Sequence, residues 1–230
     1  MKKYFICLAN SYKYGGRCLA GIEITIDNNK YSVVRNEDGT PKWIRPVSAS
    51  EHKELSTTET QNINILDIIE VEEMGVCPEF AHSENIHYSS IKRSSKITKS
   101  TGAIDNLCNE VRSNIFFNKG KAVPTNVFQN GTYSLLLIKP ESPAIYCDSN
   151  DKYRGKFTYN NNEYDLPITD PLYIDILKYD DSSVPLCGKQ ETGDLYFTIS
   201  LGEELEGWHY KLIAGIVDMR IAWTDGCALK

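Results

Sequence analysis

The sequence lacks any stretch approaching the roughly 20 apolar residues needed to cross a bilayer, which excludes a membrane-spanning helix. It also lacks a cysteine framework. Its seven cysteines, Cys7, Cys18, Cys77, Cys108, Cys147, Cys187 and Cys227, include no C-x-x-C pair and no zinc-like spacing. They read as reduced, mostly buried thiols of a cytosolic protein. Positive charge is in deficit: 25 Lys and Arg against 31 Asp and Glu leave a formal charge of −6. That excludes a uniformly basic coat for nucleic acid, because such coats bind by neutralising phosphates. A local basic stripe remains open.

Catalytic signatures are missing as well. The four histidines, His52, His82, His87 and His209, stand in unrelated contexts, and no H-E-x-x-H, G-x-S-x-G or phosphate-loop pattern occurs. Cys77, His82, Glu84 and His87 lie close enough to suggest a metal, yet the further ligands a metal site needs are not identifiable. The acidic pieces 70–73, 180–181 and 203–206 show no pairing beyond nearness in sequence. The expectation is a protein that is not an enzyme and uses no metal and no cofactor. The start, Met1-Lys2-Lys3 before a short apolar run, reads as a first strand rather than a signal peptide, because Asn10 and Lys13 interrupt the run early.

What is present is strand. In the first half, runs 4–9, 18–26, 43–47, 63–71 and 85–90 are separated by Gly, Asn and Asp clusters. A helix is expected over 102–115, where Ile104, Leu107, Cys108, Val111 and Ile115 recur on one face. Runs 133–138, 152–159, 163–168, 195–201 and 209–217 follow, with an asparagine-rich hairpin turn at 160–162. Asp170-Pro171 marks a short helix between the third and fourth strands of this half, aspartate as N-cap and proline at the first helical position. Three strands, a helix and two strands is the order of an OB barrel. The fold class expected is therefore mainly β, two tandem OB-like five-stranded barrels with a connecting helix and a short helix in the second. Residues 1–100 form the first unit, and 101–230 the linker helix plus the second. One larger sandwich with the same strand count is the competing arrangement.

The phrases "CLANSYKYGGRCLAGIEI", "WIRPVS", "HSENI", "YSLLLIK", "KFTYNNNEYDLPITDP" and "TISLGEELEGWHYKLIAGIV" succeed one another along nearly the whole chain. Together they resemble the dual OB-containing domain proteins of bacteria. The resemblance implies two OB units and binding of nucleic acid within bacterial defence or mobile-element systems. The basic stretch "YSSIKRSSKITKS" departs from the family pattern, which is longer and less charged there.

In an OB unit the corner from Asn10 to Arg17 is the loop beside the binding face. Lys13 and Arg17 are candidates for phosphates, Asn10 and Ser11 for hydrogen bonds, and Tyr12 or Tyr14 for stacking. A polar hairpin tip that is merely solvated is the competing reading. Trp43 and Arg45 alternate with Ile44 and should look outward on the third strand. They form either a stacking platform or, alternatively, a contact with the other unit with Arg45 paired to a carboxylate. Lys92 and Arg93 belong to the most basic window, read as a mobile connector that tightens on phosphates. Arg154 and Lys156 share a face of the second unit's second strand.

The function expected is a non-catalytic tandem OB module for nucleic acid, single-stranded or structured in preference to plain duplex. An adaptor subunit for a protein partner encoded beside it, such as a nuclease or helicase, is the alternative. A nucleotide or small-molecule sensor with its site between the units is a third.

Overall fold

Continuous apolar runs, rather than alternating ones, form where a strand is covered on both faces. Residues 5–9 and 213–217 are such runs, and every side chain in them except that of Gly215 is an apolar group buried in the structure. The structure is a computed structural model that describes residues 1–28, 30–98, 100–108, 112–128, 133–179 and 195–220. Lys99, Val111, Asp180, Asp181, Cys187 and Cys227 lie outside the described residues.

Strands β1 (Lys2–Lys13) and β2 (Gly16–Asp27) form a long hairpin, β3 (Lys30–Val33) extends β2 outward, and β4 (Trp43–Val47) follows. A single-turn helix, α1 (Thr57–Thr60), starts on a reciprocal Ser56–Glu59 capping box and leads to β5 (Asp67–Val76) and β6 (Asn85–Lys96). β1 pairs with β2 and β5, β5 with β6, β6 runs parallel to β4, and β4 returns to β2. That circuit is a closed five-stranded barrel in OB order.

The helix expected over 102–115 is shorter. α2 (Thr101–Leu107) is capped by Ser100 and stops at Cys108, and Ile115 falls in a 3-10 turn followed by Phe116 and Phe117 at φ 47° and 67°. The extended backbone of Asn114, at φ −141° and ψ 156°, keeps a helix from running through to Ile115.

The second half contains β7 (Ala122–Pro124), β8 (Leu135–Ile138), β9 (Glu141–Cys147), β10 (Tyr153–Tyr159), β11 (Asn162–Pro167), α3 (Pro171–Tyr179), β12 (Leu195–Leu205) and β13 (Trp208–Asp218). β8 and β9 act as one strand bent at Lys139-Pro140, since β8 pairs with β12 and β9 with β10. β10 pairs with β11, β12 with β13, and a parallel bridge between Ile168 and Ile213 ties β11 to β13. The result is a second curled, OB-like sheet around Phe157, Phe197, Tyr164 and Tyr173.

Among the described residues, three hairpins turn on two residues that both have positive φ: Tyr14-Gly15, Asn160-Asn161 and Glu206-Gly207. Such turns match the right-handed twist of the paired strands.

The two units meet where β1 crosses β13. Small side chains make the approach close: Ala9, Ala20 and Ala214 pack with Leu135, and a Cβ on Gly215 would lie 2.1 Å from the Leu8 carbonyl oxygen. Leu137, Tyr196 and Val217 of the second unit join the core of the first, and the Tyr12 N–H donates to the Thr169 carbonyl at 2.9 Å.

Candidate functional site

The face of the first barrel formed by β2 and β4 is flanked by the β1–β2 turn and the β5–β6 loop, the surfaces that OB folds use for ligands. Here the β12–β13 hairpin of the second unit leans over that face. Between them lies a cavity of about 320 Å³, with Tyr12 and Lys13 on one wall, Leu201 and Glu203 on the other, and Arg45 and Asn85 among the lining groups.

Arg45 faces out of the barrel, as its parity with Ile44 requires, but outward is not solvent. The second unit covers it, leaving it 4% exposed. Its Nη1 pairs with Glu84 Oε1 at 2.9 Å and donates to His82 Nδ1, while Nη2 donates to Ser134 Oγ at 3.0 Å and Ser200 Oγ at 3.2 Å. Ser134 in turn donates to Glu84. Burial first, and then the Arg45 charge and His209, hold His82 well below its ordinary pKa, so it stays neutral and accepts from the guanidinium. The expectation of an outward stacking platform is therefore corrected. Trp43, half-buried, packs against the Ala9, Ala20 and Ala214 cluster at the joint.

Asn10 and Ser11 are not in a loop. Both are buried within β1, and Asn10 donates to the Ile63 carbonyl at 2.8 Å. Ser11 borders the cavity. Lys13 reaches across the cleft to Glu203 at 2.8 Å. The Arg17 guanidinium lies 4.4 Å from the centre of the Tyr12 ring, and Tyr14 stacks on His52 with ring centres 3.9 Å apart. Tyr12 and Tyr14 are 52% and 64% exposed.

Lys92 and Arg93 do not form a connector. They sit in β6, beside β5, where Lys92 pairs with Glu70 at 3.0 Å and Arg93 with Asp67 at 3.1 Å. In a chain with more acids than bases, neighbouring strands supply each of these cations with a carboxylate. Lys92, with Lys2, holds the Glu70 carboxyl down at about 2 from the ordinary 4.5. Stability from this pairing is complete above pH 4.5 and is lost as pH falls through about 2. Thermal melts over that range should show a smaller loss for Glu70→Gln than for the parent.

In the second unit Arg154 is clamped by Asp165, Nε to Oδ1 at 2.8 Å. Lys156 makes no ion pair among the described residues and borders a different cleft, about 340 Å³, with Lys119 and Lys121. The structure thus brings together Ser11, Lys13 and Arg45 at one cavity, places Arg17 against the Tyr12 ring at its rim, and leaves Arg154 and Lys156 on another face.

Sequence reasoning missed Asn85, Lys53, Glu79 and the β12–β13 hairpin as cavity walls. Asn85 was visible only within the phrase "HSENI". Lys119 and Lys121 announced themselves only as two lysines around a glycine. Among the described residues no group of three or more His, Cys, Asp or Glu is arranged to hold a metal ion. His82 of the quartet considered above is committed to the joint, and His87 is exposed on β6. Among the described residues no helix is long and apolar enough to cross a membrane.

Compared with solved structures, the chain is similar to a murine DNA-binding protein bound to double-stranded DNA, at 5% identity and a TM-score of 0.30, over 95% of this chain and 98% of that one. No curated protein matches it. The family model described as the dual OB-containing domain matches residues 3–216. With its closed OB barrel and the second curled sheet, the chain belongs to the dual OB-containing domain family.

Proposed function

We propose that the protein is a non-catalytic module that binds single-stranded or structured nucleic acid at the cleft between its two units. The observation that carries this reading is the rim of the cavity. Exposed Tyr12, Tyr14 and Tyr210 from two hairpins, with Arg17 over Tyr12, surround the ligand face of an OB barrel. Exposed aromatic rings hold unpaired bases by stacking, worth about 1–3 kcal/mol per base. The covering hairpin favours a flexible strand over a stiff duplex.

The cations expected to grip phosphates are largely spent on carboxylates, so stacking carries the affinity. Binding should therefore fall only gently with salt, since each phosphate contact contributes a slope of about −0.7 for single strands. Labelled single strands titrated at two salt concentrations should show a slope no steeper than about −2. Tyr12→Ala and Tyr14→Ala should each weaken binding about tenfold without lowering the melting temperature. No binding at low salt would overturn the proposal.

The non-catalytic part is supported by the buried Ser134, His82 and Glu84, whose reactive atoms are engaged with Arg45 and one another. Service in a bacterial defence or mobile-element system, in the cytoplasm, is part of the proposal and has the family resemblance as its support. A second reading, an adaptor for a partner protein, is favoured by Met74 and Val76 on β5, apolar yet 70% and 71% exposed. Recovery of a stoichiometric partner by protein indifferent to nucleic acid would decide for it.

A further inference from the structure

Two polar side chains on the floor of the cavity are buried and incompletely satisfied. Arg45 on β4 and Asn85 at the start of β6 are direct partners in the parallel pairing of those strands. They are 4% and 2% exposed, and both line the cavity. Arg45 Nε and Asn85 Oδ1 have no hydrogen-bond partner among the described residues. One is an N–H donor, the other an acceptor, and a buried polar group without a partner carries a free-energy cost that a ligand can remove.

We infer that this cavity receives a single nucleobase, edge first, with Arg45 Nε donating to a ring or carbonyl acceptor and Asn85 Oδ1 accepting from the adjacent N–H. The Watson–Crick edge of each standard base carries such an acceptor and donor side by side, so the pocket reads a base as a base rather than one particular letter. Val47, Leu201 and Leu212 supply apolar walls. The cavity volume, near the lower end of small-molecule sites at about 300 Å³, accommodates a base or nucleoside but not a stacked pair.

Charge decides which part of a nucleotide enters. Glu79, Glu203 and Glu204 line the cavity against Lys13 and Lys53, and each of those lysines is already paired, with Glu203 and Glu79 respectively. Arg45 is balanced by Glu84. A phosphate would find no uncommitted cation there, so the sugar–phosphate part stays at the rim beside Tyr12 and Arg17.

The base can come from a bound strand, in which case the inference rests on the function proposed above, or from a free nucleoside. Calorimetric titration of adenosine, guanosine, cytidine and uridine, beside a short single strand and its base-free sugar–phosphate counterpart, separates these sources. At least one nucleoside and the strand should bind the parent, and the base-free chain should not. Asn85→Leu should weaken nucleoside and strand alike by about tenfold or more while melting no lower than the parent, because it removes an orphaned acceptor along with the contact. Asn85→Ala repeats the test should leucine not fit. If the strand binds the parent and both Asn85 variants equally and no nucleoside binds, the pocket inference fails and the strand reading survives. If a nucleoside binds and the strand does not, the strand reading fails and the pocket stands. Binding of neither overturns both.

Discussion

Arg45→Ala is expected to lower stability by about 3–5 kcal/mol, the range for removing one partner of a buried ion pair. The cost arises less from the lost attraction than from what is left behind. Glu84 is left in a closed joint with only Ser134 to bond it, and Ser200 loses the guanidinium that tied it to the first barrel. Because Arg45 reaches Ser134 and Ser200 of the second unit as well as Glu84 and His82 of the first, the deletion should loosen the joint specifically. Arg45→Lys does not substitute, since a single ammonium cannot present the planar fork that meets four groups at once.

Two measurements check this. Denaturant unfolding of Arg45→Ala against the parent gives the magnitude, and the double variant Arg45→Met with Glu84→Leu should regain most of the loss, because an apolar pair of similar volume removes both desolvated charges. Histidine titration by NMR gives an independent reading. The Arg45 charge is the second cause, after burial, that holds His82 down, so in Arg45→Ala the His82 pKa should rise toward its ordinary value while remaining below it. Unchanged stability together with unchanged His82 titration would remove Arg45 from the joint.

The fate of Arg45 also shows where the sequence stops being readable. Parity along "WIRPVS" correctly put Ile44 in the barrel and Arg45 outside it. Whether outside means water depends on Ser134 and Ser200, 89 and 155 residues away in the chain, and no local pattern encodes that. A different signal did carry it: the unbroken apolar runs at 5–9 and 213–217 required cover on both faces of β1 and β13, which is where the units cross.

Local chemistry was legible. Asn160-Asn161 turns as its composition indicates, and the main barrel strands lie on the expected apolar segments. β9 escaped notice because Ser142, at φ 47°, and Pro143 interrupt it beside a bulge in its pairing with β10. Of the cleft, the tyrosines and Lys13 were visible in the opening hairpin. Asn85 was not, because a lone asparagine before an apolar residue carries no signal until the parallel β4–β6 pairing sets it next to Arg45.

Asp170→Ala should be the other large loss, about 3 kcal/mol near neutral pH. The carboxylate caps α3 through Oδ1, accepting from the N–H groups of Leu172 at 3.1 Å and Tyr173 at 3.2 Å, and its Oδ2 accepts from the Ile216 N–H on β13 at 3.0 Å. Orphaning the two buried donors, on Tyr173 and Ile216, costs about 1–3 kcal/mol each, and the half-buried Leu172 N–H adds less. Part of this is regained because the variant no longer buries a charge. Burial raises the Asp170 pKa to about 6 even though all three N–H groups pull it down. In the unfolded chain the same group titrates at about 3.9.

The sign follows from these two values. Between about pH 4 and 6 the folded protein holds a proton that the unfolded chain has released, so this group's contribution to stability declines as pH rises and is flat above. Asp170→Asn keeps one acceptor for the helix N-terminus but turns an N–H toward Ile216, so it should fall between parent and alanine variant. Having no proton to lose, it should also lack the slope. Its melting temperature should therefore approach that of the parent as pH rises from about 4 to 6. A constant gap across that interval would mean that Asp170 is ionised throughout, its three donors outweighing its burial.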